Sequence, residues 1–237
     1  YRLARMAAEE IVPGVWAISM AYVSAFVIAD DGLTLIDSGL PNKVDTIHKG
    51  LADAGGGPLR NVAVTHHHMD HVGGLAKLTA EPGVTVWAHP ADAGIIRGDV
   101  PPPRPPGRNI IERAGISGFV RFGPKAAPAR VDREVNDGDE LPIAGGLVAH
   151  HTPGHTAGHL SFLMPSKRVL FVGDAAARMM GRLAPPFGVY TEDHEAVKRS
   201  IAKLATLEFD VACFGHGRVL KGGAAAEFRK LAEKCAG

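Results

Sequence analysis

Runs of apolar residues bounded by turn residues predict several short strands at the start of the chain. Three of these runs lie at residues 15–19, 22–29 and 33–36. Asp30, Asp31 and Gly32 separate the last two runs and have the composition of a hairpin turn. The pattern therefore predicts that Asp37 lies at the end of a strand.

A helical pattern follows these strands. Pro41 suits the first turn of a helix, and apolar residues at positions 44, 47, 51 and 54 recur on one helical face. Further strands are predicted at residues 61–65 and 84–88, and helical turns at residues 75–78 and 91–97. Alternation of strands and helices is typical of a layered α/β fold.

The second half repeats this order. Strands are predicted at residues 130–135, 146–150, 160–164, 169–172 and 210–214. Thr191 is the predicted N-cap of a helix with an apolar face, and residues 224–236 form the last predicted helix. Two halves of similar order favour a four-layer αββα sandwich. No composition break divides them, so we expect a single domain over residues 1–237.

Candidate chemistry is concentrated in the segment from Thr65 to Gly74, which contains four histidines and Asp70 directly after an apolar run. His66 and His68 are two residues apart in extended chain, so their side chains can share one ion. Asp70 and His71 lie beyond the turn and can face a neighbouring ion. Imidazole nitrogen and carboxylate oxygen are ligands of zinc and iron.

Charge and cysteine content narrow the classes of partner. The chain has 26 basic and 25 acidic residues, which gives no reason to expect nucleic acid or an acidic membrane as a partner. Two cysteines are too few for a disulfide framework, and no apolar stretch approaches the ~20 residues that span a bilayer. We therefore expect a cytoplasmic protein that acts on a small molecule; its oligomeric state is left open.

The histidine segment and four other motifs together resemble the metallo-β-lactamase-fold hydrolase superfamily. The other motifs are Asp37-Ser38-Gly39, the segment from Thr152 to His159, Gly173-Asp174 and Gly215-His216-Gly217. Their order and spacing are similar to those of the superfamily from about residue 11 to the end. Such a likeness implies the αββα sandwich, with the metal loops along one edge of the sheets, but only weakly implies a substrate.

The resemblance also implies a ligand set for two divalent metal ions, with zinc expected first and iron or manganese as alternatives. It assigns His66, His68 and His155 to a first metal site. Asp70, His71 and His216 are assigned to a second, and Asp174 bridges the two. A hydroxide shared by the two ions would attack a carbonyl carbon, and Asp70 would also orient that nucleophile.

Four further residues have predicted supporting roles. His67 alternates away from its neighbours and is predicted to have a structural role. His159 can support a metal ligand or line the pocket, since ligand histidines need hydrogen-bond partners. Asp37 is a candidate for holding a ligand loop, and Tyr190 either reaches the pocket or packs at the surface. The proline-rich residues 100–108 are predicted to form a loop. This loop either borders the active-site cleft, as the resemblance suggests, or is a plain connector far from the site.

Comparison with subfamilies favours hydrolysis of an ester, lactone or thioester. β-Lactamases of the superfamily generally carry Cys or Ser where Asp174 stands, and acyl-homoserine lactonases have a Tyr where Ala177 stands. Glyoxalase II has a helical glutathione-binding region after its last ligand, whereas 21 residues follow His216. A β-lactamase is the alternative within the same class. A mononuclear iron persulfide dioxygenase and an idle metal-binding scaffold are alternatives of other classes.

Overall fold

The computed structural model describes residues 6–80, 82–103, 125–186 and 188–237. Its strands form two large sheets and a separate hairpin. The first sheet contains, in spatial order, β1 (Ala8–Val12), β2 (Val15–Met20), β3 (Val23–Asp30), β4 (Gly32–Ile36), β5 (Leu59–Ala63), β6 (Thr85–Ala88) and β7 (Arg133–Glu134).

The second sheet and the hairpin come from the second half of the chain. The sheet contains β8 (Glu140–Leu141), β9 (Leu147–His151), β10 (Leu160–Met164), β11 (Val169–Gly173), β14 (Val211–Phe214) and β15 (Leu220–Lys221), in the spatial order β15-β14-β11-β10-β9-β8. The hairpin pairs β12 (Ala177–Met179) with β13 (Arg182–Ala184). The described helices are α1 (Val44–Asp53), α2 (Met69–Val72), α3 (Leu75–Leu78), α4 (Pro90–Arg97), α5 (His194–Ala205) and α6 (Ala224–Ala236).

Three apolar cores separate four layers, as the αββα prediction requires. One core lies between the first sheet and helices α1, α3 and α4, and a second lies between the two sheets. The third lies between the second sheet and helices α5 and α6. The predicted fold class is thus confirmed.

Strand β3 shows why this chain needs a core on both sides of each sheet. Val23, Ala25 and Val27 belong to the core beneath the helices, whereas Phe26 and Ile28 belong to the core between the sheets. Successive side chains of a strand point to opposite faces, so an almost continuous apolar run fills two interfaces. The predicted strands at the start of the chain are confirmed, and β1 is an additional one.

Two predicted helix starts are wrong. Helix α1 begins at Val44, so Pro41 precedes its first turn. Helix α5 begins at His194, and its N-cap is Asp193, whose carboxylate accepts hydrogen bonds from two backbone N–H groups in the first turn. Thr191 is buried two residues earlier. Asp and Thr are both good N-caps, so composition alone did not distinguish them.

Two other predictions concern the connection between the halves. The strand predicted at residues 130–135 is reduced to Arg133–Glu134. Residues 101–103 of the proline-rich segment are exposed, and the rest of it, residues 104–108, lies outside the described residues. No helix in the described ranges is both long and apolar enough to cross a membrane.

The ends of the central strands place the candidate residues at one edge of the sandwich. Strands β4 and β5 are parallel and end directly before Asp37 and Val64. Strands β11 and β14 are parallel as well, and they end directly before Asp174 and Gly215. Because parallel strands have their carboxyl ends at the same edge of a sheet, four loops converge there.

Candidate metal centre

The structure brings six of the seven sequence-predicted ligand residues into two adjoining groups of three at this edge, with the seventh, Asp174, close to both. In each group of three, the potential ligand atoms all lie within 4.8 Å of one another. One group is His66, His68 and His155, and another is Asp70, His71 and His216. These are the two triads that the resemblance to the superfamily implied.

Asp174 lies between the two groups. Its Oδ1 is 3.6 Å from Nε2 of His71, and its Oδ2 is 3.1 Å from Nε2 of His216 and 3.4 Å from Nε2 of His155. One carboxylate therefore faces ligand nitrogens of both groups. This is the geometry that a bridging ligand requires.

The hydrogen bonds of two histidines determine which of their ring nitrogens faces the centre. Thr65 donates its hydroxyl hydrogen to Asp37 Oδ2 at 2.7 Å, so its oxygen accepts from Nδ1–H of His66 at 3.0 Å. Nδ1–H of His71 donates to the same Asp37 oxygen at 2.7 Å. Both rings thus carry a hydrogen on Nδ1 and direct Nε2 at the centre, where a metal ion would take the place of any hydrogen on Nε2.

His216 is held in the same way by a residue that the sequence analysis missed. Its Nδ1 lies 2.9 Å from the backbone oxygen of Tyr22, which can only accept, so the hydrogen is again on Nδ1. The Tyr22 ring stacks on the His216 imidazole with 5.8 Å between centroids. Tyr22 lies in the turn between β2 and β3 and is 57 % exposed, so its ring is an accessible surface beside the second group.

The atoms that face the centre are buried and have no hydrogen-bond partner among the described residues. They are Nε2 of His66, Nε2 of His71, Nε2 of His155 and Oδ1 of Asp174. Leaving buried polar atoms unpaired costs about 1–3 kcal/mol each. A cation would satisfy these lone pairs together, so the residues present fit a metal centre.

Burial and nearby charges shift the pKa values of the histidines in the centre in opposite directions. Burial lowers the pKa of His155 to about 4, and it lowers those of His66 and His68 well below the ordinary value. Burial also disfavours the charged form of His71, but Asp174 and Asp37 raise its pKa to about 10. The first group is thus a set of neutral ligands, whereas the surroundings of His71 attract positive charge.

The His159 side chain supports Asp174 by accepting a hydrogen bond from the Asp174 backbone. The N–H of Asp174 donates to Nε2 of His159 at 2.8 Å, so the ring hydrogen is on Nδ1 and is donated to Thr152 Oγ1 at 2.8 Å. Ser161 donates to the oxygen of Val172, so it accepts from Thr152. This chain leaves no acceptor for a second proton, and burial lowers the pKa of His159 to about 3.

We expect the stability of the metal-free protein to fall as the pH falls from about 6.5 to about 3, in part because of His159. In this window the unfolded chain binds the His159 proton and the folded chain does not, so lower pH favours unfolding by ~1.4 kcal/mol per unit. His159→Gln keeps an acceptor for the Asp174 N–H without titrating. Urea unfolding at several pH values should show a shallower slope for this variant; parallel slopes would contradict the assignment.

The remaining candidates lie around the centre. His67 is buried, with Nδ1 3.1 Å from Asp92 Oδ2, a partner that the sequence analysis missed. Tyr190 is 40 % exposed, and its ring lies 6.5 Å from that of His68 between centroids, so it is an accessible neighbour of the first group. Asp37 has a φ of 60°, a conformation that Asp tolerates better than most residues and that is common at functional sites.

A two-sheet αββα sandwich with a candidate metal centre at the strand ends defines the class of this protein. The chain belongs to the metallo-beta-lactamase superfamily, because the profile of that family matches residues 20–216. Most members of this superfamily are hydrolytic enzymes.

Relatives and solved structures agree with this membership. The chain is 30% identical over 203 residues to the probable metallo-hydrolase YflN of Bacillus subtilis, covering 79% of this chain and 76% of that one. It is 31% identical over 164 residues to the hydroxyacylglutathione hydrolase GloC of Haemophilus influenzae, covering 67% and 69%. A B3 metallo-beta-lactamase with an active-site glutamic acid superposes with a TM-score of 0.73 at 24% identity, covering 99% and 89%, which shows a shared fold.

Proposed function

We propose that this protein is a dinuclear metal-dependent hydrolase that cleaves an ester, lactone or thioester carbonyl. The observation that carries the proposal is the position of Asp174 between the two ligand groups, with one oxygen toward His71 and the other toward His155 and His216. Two divalent ions, zinc before iron or manganese, would supply a water of lowered pKa and polarise the carbonyl oxygen.

The chain's own residues would orient the reacting groups. Asp70 is a member of the second group, with Oδ2 3.5 Å from Nε2 of His216, and its side chain is 17 % exposed where that of Asp174 is 7 % exposed. One carboxylate oxygen can thus bind a metal ion while the other accepts a hydrogen bond from the attacking water. Asp70 is therefore our candidate for orienting the nucleophile.

Two exposed tyrosines beside the ligand groups support a substrate with a modest organic group. Tyr22 stands beside His216 in the second group, and Tyr190 stands beside His68 in the first. Both rings are partly exposed and offer flat apolar surface with a hydroxyl at the tip. The name of GloC, which states hydrolysis of an acyl group on glutathione, supports a thioester among the candidates. A small molecule in the cytoplasm is the expected substrate.

We expect the metal-loaded protein to hydrolyse at least one carboxylic ester, lactone or thioester faster than any penicillin or carbapenem. The reason is that an Asp at position 174 is the general hydrolase pattern rather than the β-lactamase one. The measurement is kcat/KM across a panel of all four substrate types. Removing metal with a chelator should abolish turnover, and adding zinc back should restore it.

Two results of the panel would contradict the proposal. A β-lactam with the highest kcat/KM would make the protein a β-lactamase. One iron ion per chain, with dioxygen consumed on a persulfide and no hydrolysis, would make it a persulfide dioxygenase. Elemental analysis of the same sample distinguishes the second result from simple loss of metal.

A further inference from the structure

Asp92 is a buried carboxylate that contacts both loops of the first ligand group. It lies in the first turn of α4 and is 1 % exposed. Its Oδ2 accepts hydrogen bonds from the backbone N–H of His67 at 2.9 Å and from the hydroxyl of Thr156 at 3.0 Å. Its Oδ1 accepts from the backbone N–H of Gly158 at 2.9 Å. Nδ1 of His67 lies 3.1 Å from Oδ2 as well.

These contacts adjoin all three ligands of the first group. His67 stands between His66 and His68, and Thr156 directly follows His155. Asp92 is itself in none of the candidate metal groups of the described residues. It would therefore act on the ligands through the backbone and side chains that carry them, and not by binding metal.

The second group has no comparable link to Asp92. None of its members, Asp70, His71 and His216, is a neighbour in sequence of a residue that Asp92 contacts. His71 is instead held by Asp37, at 2.7 Å. Asp37 also reaches His66 of the first group through Thr65, so it supports both groups, whereas the contacts of Asp92 adjoin the first group alone.

Gly158 shows how closely the carboxylate approaches the second loop. A Cβ built on Gly158 would overlap Asp92 Oδ1 and also crowd the Asp92 backbone nitrogen. A glycine here therefore lets the loop after His155 lie directly against the carboxylate. Asp92 and Thr156 are 64 positions apart in the sequence, so this contact is made by the fold and not by local chain geometry.

We propose that Asp92 is a positioning residue that sets the metal affinity of the first group, His66, His68 and His155, separately from that of the second. The proposal rests on the metal-dependent function proposed above. Supporting carboxylates of this kind typically change metal affinity by about 10- to 100-fold. Asp92→Asn would place an amide NH2 against one of the N–H donors, because an amide has one acceptor oxygen where a carboxylate has two.

The test measures zinc affinity by competition with a chromophoric chelator in two backgrounds, each with one group damaged. In the His216→Ala background the remaining ion sits in the first group, and Asp92→Asn should weaken its binding by about 10- to 100-fold. In the His68→Ala background the remaining ion sits in the second group, and Asp92→Asn should change its affinity by less than about threefold. Equal effects in both backgrounds, or none in either, would overturn the proposal.

His89→Ala is the matched control for docking of α4. The His89 imidazole accepts a hydrogen bond from the backbone N–H of Ala91 and stacks on His151 with 4.0 Å between centroids, and His151 in turn bonds to the oxygen of Ala157. This variant loosens the same helix against the same loop but leaves the Asp92 carboxylate in place. It should keep zinc affinity within about threefold in both backgrounds. If His89→Ala changes zinc affinity as much as Asp92→Asn does, the effect of Asp92 would come from the general packing of α4.

A second variant keeps the proposal testable if Asp92→Asn does not fold. Thr156→Val removes one hydrogen-bond donor to Asp92 with little change in shape, and it should weaken zinc binding by the first group by about three- to tenfold. Unchanged affinity in this variant would contradict the proposal. Since every readout is metal binding, a protein that binds two ions but hydrolyses nothing on the substrate panel would sink the proposed function and leave this inference standing.

Discussion

Replacing Asp174 with asparagine is expected to lower the zinc content from about two ions per chain to below about one, and turnover on the order of a thousandfold. The variant removes a charge that faces ligand nitrogens of both groups. It also introduces an NH2 that can donate to an Nε2 lone pair and so compete with metal. Elemental analysis and kcat on the fastest panel substrate measure the two effects.

Asp210→Asn is the matched control for this experiment. Asp210 pairs with Arg168 at 2.7 Å, and both residues precede the strands whose far ends carry Asp174 and Gly215. The control thus removes a carboxylate at the opposite end of the same strand pair, where it is exposed and contributes little. If Asp174→Asn keeps both ions, Asp174 is not the bridging ligand.

Local sequence patterns were sufficient for most of the strands, and the resemblance to the superfamily supplied the seven candidate ligands. Each ligand loop follows an apolar strand, and the alternation in strands such as β3 is a short-range signal. This signal needs several residues. Strands β8 and β15 were missed because they have two residues each, too few to show an alternation. Pro41 and Thr191 have the right composition for helix starts, but the chain begins its helices later.

The supporting residues of the centre could be predicted only in part. Asp37 was identified because its motif stands at a strand end. Asp92 and Tyr22 were missed because their partners are distant in sequence: Asp92 meets Thr156 across 64 residues, and Tyr22 meets His216 across 194. Such contacts depend on how the layers of the fold pack together, and the periodicity of the sequence carries no information about that packing. An acidic residue in the first turn of α4 is also common, because it interacts favourably with the helix dipole, so Asp92 did not stand out in the sequence.

Tyr22 and Tyr190 are candidates for contacts with the substrate. Burial and the nearby charges of Asp70 and Tyr190 raise the pKa of Tyr22. Its hydroxyl therefore stays protonated at neutral pH and can donate a hydrogen bond. Because Tyr22 and Tyr190 stand beside different ligand groups, a carbonyl compound held between them would lie across both.

Asp70→Asn is expected to separate turnover from metal content. Asparagine keeps the size of the side chain and one oxygen that can bind metal, but it loses the charge and an acceptor for the attacking water. We expect kcat to fall by about 10²- to 10⁴-fold, the usual range for a group that orients or deprotonates a nucleophile. Zinc content should stay above that of Asp174→Asn, because the second group keeps His71, His216 and the bridging Asp174.

Excess zinc in the assay distinguishes the two roles. Raising its concentration should restore part of the turnover of Asp174→Asn, whose main defect is affinity, and should leave Asp70→Asn unchanged, because that variant is already loaded. The KM of Asp70→Asn should remain within a few-fold of the parent, since the side chain is expected to act on the water and not on the substrate. Full recovery of Asp70→Asn by zinc would show that Asp70 is a metal ligand alone, and the nucleophile would then have to be oriented by another residue.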